Sequence, residues 1–214
     1  MISNKINPNG KGKLFQNPYL EFLTKSSPWI IWGMYFPVIV GMLVYSIVYQ
    51  LLPWYEAVVI YLGGVFSWTF FEYILHRYVF HFVNESKFVQ RFHYMAHGFH
   101  HEYPRDTEHL FMPPLPSVFL ASFFFGIFFL ICGRIYVFPF FPGFLTGYLL
   151  YATMHYAMHT VKTPPKFLRS LWRYHHLHHF KTPEQAFGVS SSLWDHVFRT
   201  LPPDPQKQSS INVA

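Results

Sequence analysis

Charge is scarce in this chain. Asp, Glu, Lys and Arg make up 12% of its 214 residues, against roughly 25% in an average soluble domain, so an ordinary water-soluble fold is a poor description of it. Cysteine is nearly absent. The single Cys132 has no intrachain partner, which excludes a disulfide framework and a cysteine-ligated structural zinc site; inside an apolar run it reads as a small packed hydrophobe. No Glu-x-x-His pair occurs, which excludes the carboxylate-bridged di-iron bundle built from such pairs. No basic run or basic helix face occurs either, so nucleic acid is not an expected partner. A cleavable leader pattern is missing as well. Residues 1–27 are polar and basic, and the first apolar segment is expected to act as its own insertion signal.

What is present is apolar and aromatic. Hydrophobic residues make up 51% and aromatic residues 22% of the chain. The mean hydropathy is only +0.17 because histidine-rich segments alternate with strongly apolar ones. Four apolar stretches stand out: Trp29 to Tyr49, Val58 to Leu75, Phe119 to Cys132 and Phe140 to Met154. The first is long enough to cross a hydrocarbon core of about 30 Å at about 1.5 Å per residue. The fourth is shorter and interrupted by Pro142, Gly143 and Gly147. The stretches pair into two expected hairpins, one through Gln50 to Pro53 and one through Arg134 to Pro139. The expected fold class is thus an all-α integral membrane protein with four transmembrane helices in two hairpins and a cytoplasmic helical cap. One membrane domain spans 28–202, between a cytoplasmic N-terminal segment at 1–27 and a flexible tail at 203–214.

Orientation follows from lysine and arginine. Fifteen of the sixteen lie before the first stretch, between the second and third, or after the fourth, and Arg134 alone falls on the other side. The positive-inside rule makes the crowded side, with both termini, cytoplasmic. The net charge of +6 is then accounted for by topology and contact with anionic membrane lipids.

Thirteen of the fourteen histidines lie between His76 and His179, all on the cytoplasmic side by this topology. They form four groups: His76-x4-His81, His97-x2-His100-His101, His155-x3-His159 and His175-x2-His178-His179. Residues at i, i+3 and i+4 share a helical face, so the second and fourth groups can converge on one ion or bridge two. His76 and His81 are five apart, off a common α-helical face, and the helix is expected to end or bend between them. A lone histidine is usually a packing or surface residue; four sets on one side of a membrane are not explained that way. Ten imidazoles are too many for one ion, and five for each of two is a reasonable division. Imidazole suits iron, zinc, copper and nickel. Neutral ligands with open positions point to two iron ions for oxygen activation, with zinc as an inert substitute in recombinant protein.

Ligating imidazoles need acceptors for their second N–H. Glu72, one helical turn before His76 near the end of a membrane stretch, is the leading expectation, since a carboxylate there costs about 2.5–3.5 kcal/mol unless it has a function. Glu102, Asp106 and Asp195 are weaker ones. A metal transporter would hold its ligands near the bilayer midplane, and a haem cytochrome needs histidines facing each other across helices. Neither matches.

The segments HRYVFH (76–81), HGFHH (97–101), HYAMH (155–159) and HHLHH (175–179) resemble the fatty acid hydroxylase superfamily. WTFFEYILHR before the first box, LFMPPLPS (110–117) and FGVSSSLWDHVF (187–198) make the likeness strongest to the sphingolipid fatty acid 2-hydroxylases. The likeness covers roughly residues 30–202. It implies oxygen-dependent hydroxylation at the 2-position of a long acyl chain, free or in ceramide, by a dinuclear centre under a cytoplasmic cap. The implied metal ligands are His76, His81, His97, His100, His101, His155, His159, His175, His178 and His179, with His93 ranked just below them. His176, His109 and His196 are expected to be bland or surface residues. Eukaryotic members carry an N-terminal haem domain, which the 27 residues before the first membrane helix cannot form. The resemblance therefore implies a separate electron-donor protein, such as a ferredoxin or a small cytochrome. A desaturase or a sterol or carotenoid hydroxylase with the same centre is the main alternative, and a non-enzymatic metal-binding or metal-transport protein the remaining one.

Overall fold

The computed structural model describes residues 6–203, so all but the first residue of the expected tail at 203–214 lies outside the described residues. Every regular element among the described residues is helical. Helix α1 spans Pro18–Thr24, α2 Pro28–Val48 and α3 Trp54–Leu75. Proline at the first helical position and a polar cap start the first two. The Asn17 side chain accepts from Tyr19 N at 2.9 Å, and that of Ser27 accepts from Ile30 N, satisfying donors that have no partner inside the helix.

Three helical segments are long and apolar enough to cross a membrane: Pro28–Val48, Trp54–Phe80 and Pro114–Thr160. The last, α6, is not one rod. Gly133 sits at φ 71°, ψ 173°, a conformation that favours glycine, and the chain reverses there. Residues on either side of it meet in antiparallel order: Phe128 with Phe140 at 4.9 Å between ring centroids, Phe124 with Phe144 at 5.4 Å, and Ser117 Oγ with the Tyr148 hydroxyl at 3.4 Å. The expected hairpin of the third and fourth stretches is present, with its turn at Gly133 and not across Arg134 to Pro139. At the first hairpin, Gln50 takes a positive φ of 45°. Arg134 donates to the Tyr45 hydroxyl, which sets both turns at the same end of the bundle.

Both limbs of α6 belong to one core with α2 and α3. Ile31, Tyr35 and Ile39 give α2 one buried stripe at helical spacing, facing Phe124, Phe128, Phe144, Leu145 and Leu149. The opposite faces carry exposed Ile47, Val48, Leu62, Phe66, Phe119, Leu130 and Ile131. An all-helical bundle that turns apolar side chains outward satisfies its backbone internally and suits a lipid surround. Gly143 and Gly147 do not interrupt the helix. A Cβ on Gly143 would lie 2.0 Å from the Tyr61 carbonyl, and one on Gly147 would lie 2.4 Å from Trp68 Cβ. These glycines, four apart, let α6 approach α3 at backbone contact.

Beyond the apolar helices lie α4 (Lys87–His93), α5 (Phe99–Glu102), α7 (Arg169–Phe180) and α8 (Leu193–Val197). The N-terminal segment is strapped to α5 and the loop that follows it. Asn7 N donates to the Glu102 carbonyl, Glu21 receives the amides of Leu14 and Phe15, and Lys25 pairs with Glu108 at 2.7 Å.

Candidate metal centre

The helix ends at Phe80, between His76 and His81 as expected, and does so without a break at His76. It widens into a π-turn over His76–Phe80, with His81 N donating to the His76 carbonyl at 3.1 Å. A π-turn is wound for i, i+5 pairs, so the spacing that fails on an α-helix brings the two rings to 5.0 Å. A second π-turn, Tyr94–Gly98, carries His97 and leads into α5, which carries His100 and His101.

The ten expected histidines come together as two groups of five. His76, His81, His97, His101 and His178 form one, and His100, His155, His159, His175 and His179 the other; within each, one ring nitrogen per residue lies within 4.8 Å of the rest. Nitrogens about 2.0–2.1 Å from a common zinc-like ion lie at most about 4.2 Å apart, close to what these groups hold. The second and fourth boxes each divide between groups: His97 and His101 face one way and His100 the other, while His178 separates from His175 and His179. The groups adjoin, with the His101 ring stacked on His179 at 4.2 Å.

Hydrogen bonding tests whether these groups suit a cation. A backbone carbonyl only accepts, so His76 donates from Nδ1 to Phe187 O at 2.5 Å, and His178 from Nδ1 to Gln185 O at 2.7 Å. Their Nε2 atoms are therefore bare lone pairs. His76 Nε2 lies 3.0 Å from His97 Nε2, His97 Nε2 2.9 Å from His101 Nε2, and His159 Nε2 2.8 Å from His175 Nε2. His81 Nε2, His178 Nε2 and both ring nitrogens of His100 and His179 are buried with no hydrogen-bond partner. Buried polar atoms without partners are rare, and inward-facing lone pairs repel one another unless a positive charge lies among them. The donor set fits a metal pair bound by neutral imidazoles, and no carboxylate belongs to either group.

Burial also sets protonation. It is the first cause holding His81, His97, His100, His175, His178 and His179 below the ordinary imidazole value, with neighbouring imidazoles adding to it. The same causes bring His101 down to about 3. Each ring is thus neutral, as a ligand must be. A pH dependence of the metal-free protein follows. The unfolded chain takes up protons below about 6.5, and the folded site refuses them, so stability is full above that pH and falls as pH drops towards the folded-state values. Thermal unfolding of metal-free protein in detergent is expected to show a lower Tm at pH 5.5 than at pH 8; a flat profile would contradict it.

His93 lies outside both groups. Its Nδ1 donates to Phe80 O at 2.5 Å, and its ring is 6.2 Å from that of His81. His176 and His196 are exposed, as expected. His109 is not a surface residue: its side chain is 4% exposed, between Asp106 at 3.1 Å and Glu21 at 3.3 Å. It ties the N-terminal strap to the loop before α6. Nothing in its surroundings in the sequence marks this, because the strap is a distant partner.

Glu72 is buried, but its carboxylate receives Val189 N at 2.6 Å, Ser190 N at 2.8 Å and the Ser190 hydroxyl. The imidazole N–H groups of His76 and His178 go to carbonyls of the adjoining loop and not to a carboxylate. Asp195 receives Phe187 N at 2.9 Å and Gly188 N at 2.8 Å. Glu102 receives the Tyr94 hydroxyl, and Asp106 pairs with His109. Sequence reasoning missed the loop, since backbone carbonyls carry no residue signature.

A cavity of about 470 Å³ opens against His97, His100 and His155, and so touches both groups. Its walls are apolar: Leu75, Leu120, Ala121, Phe124, Phe144 and Leu145 along the bundle, Leu14, Phe15, Leu20 and Leu23 from the strap. Seven of the 26 phenylalanines line it; the others pack or face outward.

Comparison with known proteins gives one consistent match. A family model described as fatty acid hydroxylase matches residues 61–200. A dihydroceramide fatty acyl 2-hydroxylase of Arabidopsis thaliana is 38% identical over 191 residues, covering 89% of this chain and 80% of the relative. A ceramide very long chain fatty acid hydroxylase of Saccharomyces cerevisiae is 38% identical over 199 residues, 91% of this chain but 51% of the relative, so the chain spans about half that protein's length. A fatty acid 2-hydroxylase of Mus musculus is 37% identical over 145 residues, 66% of this chain and 39% of the relative. A solved structure of full-length scs7p, in which only the hydroxylase domain is visible, superposes with a TM-score of 0.84 at 37% identity, covering 91% of this chain and 74% of that one.

Proposed function

The chain belongs to the fatty acid hydroxylase family, and from that premise we propose that it is a membrane enzyme hydroxylating the 2-position of a long-chain fatty acyl group, as free acid or within a ceramide. One observation carries the reading: two groups of five neutral imidazoles border an apolar cavity that runs into the helix bundle. Oxygen enters the C–H bond as one atom and leaves as water with the other, which takes two protons and two electrons. A separate electron-donor protein supplies the electrons.

His76, His81, His97, His101 and His178 would hold one iron ion, and His100, His155, His159, His175 and His179 the other. The metal pair supplies oxygen activation when bound; zinc is the substitute of recombinant protein. The chain's own part is to hold ten rings neutral and fixed, to exclude water by burial, and to lay an acyl chain along Phe124, Phe144 and Leu145 with its carboxyl end at the histidines. Four crossings, by α2, α3 and the two limbs of α6, with the site and both termini on the cytoplasmic side, follow from the charge distribution. Lipids of a host expressing the chain are expected to gain 2-hydroxy acyl chains by mass spectrometry. A new double bond, or a hydroxylated sterol or carotenoid instead, would overturn the 2-hydroxylase reading and leave the metal centre standing.

A further inference from the structure

The loop between α7 and α8 has every amide from 186 to 190 committed. Ala186 N donates to the Thr200 carbonyl at 2.8 Å, Phe187 N and Gly188 N to Asp195, and Val189 N and Ser190 N to Glu72. Both carboxylates are almost wholly buried. Thr200 Oγ1 adds a bond to Asp195 at 2.6 Å. With its amides fixed, the loop presents two carbonyls in the other direction: Phe187 O takes the Nδ1–H of His76, and Gln185 O that of His178. Both histidines belong to the same group of five. Gly188 is required at its place, since a Cβ there would lie 2.0 Å from the Ser191 carbonyl and 2.8 Å from Asp195 Oδ2.

We propose that Glu72 and Asp195 are a pair of positioning residues that act through this loop on one metal site only, the one formed by His76, His81, His97, His101 and His178. This rests on the two-metal reading above. The physical case is one of tautomer and aim. An imidazole ligates through Nε2 only when Nδ1 carries the proton, and it holds its direction only when that proton has a fixed acceptor. A carbonyl of a free loop would wander; two buried carboxylates, each accepting two consecutive amides, stop it. Asparagine at 195 keeps the volume but turns an N–H towards a backbone N–H, because Phe187 N and Gly188 N bond different oxygens of Asp195, and the loop must shift. Val189 N and Ser190 N share Oε1 of Glu72, which glutamine would preserve, so alanine is the substitution that takes the acceptor from both. No corresponding clamp appears on His100, His155, His159, His175 or His179 among the bonds of the described residues. The two sites should therefore respond differently to the same change.

The test is elemental analysis of purified, monodisperse protein after dialysis against a graded chelator, reading metal per chain. Wild type is expected to hold two ions. Asp195→Asn and Glu72→Ala are each expected to weaken one of the two by roughly 10–100-fold, leaving close to one ion at a chelator level that spares wild type. Ser190→Ala, which keeps the carboxylate and removes one donor, is the milder variant and should give a smaller shift in the same direction. Location is read from double variants. Asp195→Asn with His76→Ala should match either single variant at one ion, whereas Asp195→Asn with His175→Ala should fall to near zero. Two ions held as in wild type by Asp195→Asn, Glu72→Ala and Ser190→Ala would overturn the clamp, as would equal loss from both sites. Wild type with no bound metal would overturn the two-metal reading instead, so the two failures are told apart.

Discussion

Alanine in place of His175 is expected to reduce 2-hydroxy acyl chains in an expressing host to background. His175 is buried, 2.8 Å from His159 through the Nε2 atoms and 4.6 Å from His179 between ring centroids. Removing it takes one of five nitrogens from its group and leaves a small buried space lined by the remaining four. The other group is intact, so a protein that folds and retains metal at one site is expected alongside the lost product. Lipid mass spectrometry gives the product and elemental analysis the metal. Undiminished 2-hydroxy lipid in this variant would remove His175 from the chemistry. His176, its exposed neighbour, is the matched control, and His176→Ala should leave product formation as it was.

The second large effect is structural. Gly143→Val is expected to prevent assembly of the bundle, because even a Cβ at 143 would sit 2.0 Å from the Tyr61 carbonyl of α3 and 3.1 Å from its Cα. Backbone cannot rotate aside as a side chain can. Overpacking typically costs about 1–3 kcal/mol and more where the neighbour cannot yield, a large part of the margin of an ordinary domain. The site would suffer with the fold, since α3 carries Glu72 and leads into His76, and the far limb of α6 carries His155 and His159. The check is the yield of monodisperse protein in mild detergent, with Gly126→Ala as comparison, where a Cβ meets nothing within 4 Å. Equal yields from the two variants would contradict the close-packing account.

Much of this was legible before any coordinates. The i, i+3 and i+4 spacings of His97, His100 and His101, and of His175, His178 and His179, allow the rings of each box to meet at one ion or to bridge two, and each box does bridge the two groups. Apolar length and a single opposed arginine marked the hairpin that turns at Gly133. Other features were not readable, for physical reasons that differ. The π-turn at His76 is a choice between two hydrogen-bond registers that the local sequence does not decide. Which histidines share a group depends on where the fold sets α5 and α7, so HHLHH divides His178 from its neighbours without any mark in the box. His109 reads as a surface residue until the strap carrying Glu21 is seen against it. Gly143 and Gly147 read as interruptions, while they are points of contact. The loop at 185–190 works through carbonyl oxygens that every residue possesses, so only its fixed geometry reveals the role.

The central claim is that ten imidazoles make two separate metal sites. The most direct measurement is elemental analysis of gently purified wild-type protein, with the protein concentration set by amino-acid analysis. Close to two ions per chain is expected, falling to one in His175→Ala and in His76→Ala. A wild-type value of zero or one, in protein that elutes as a single species, would contradict it.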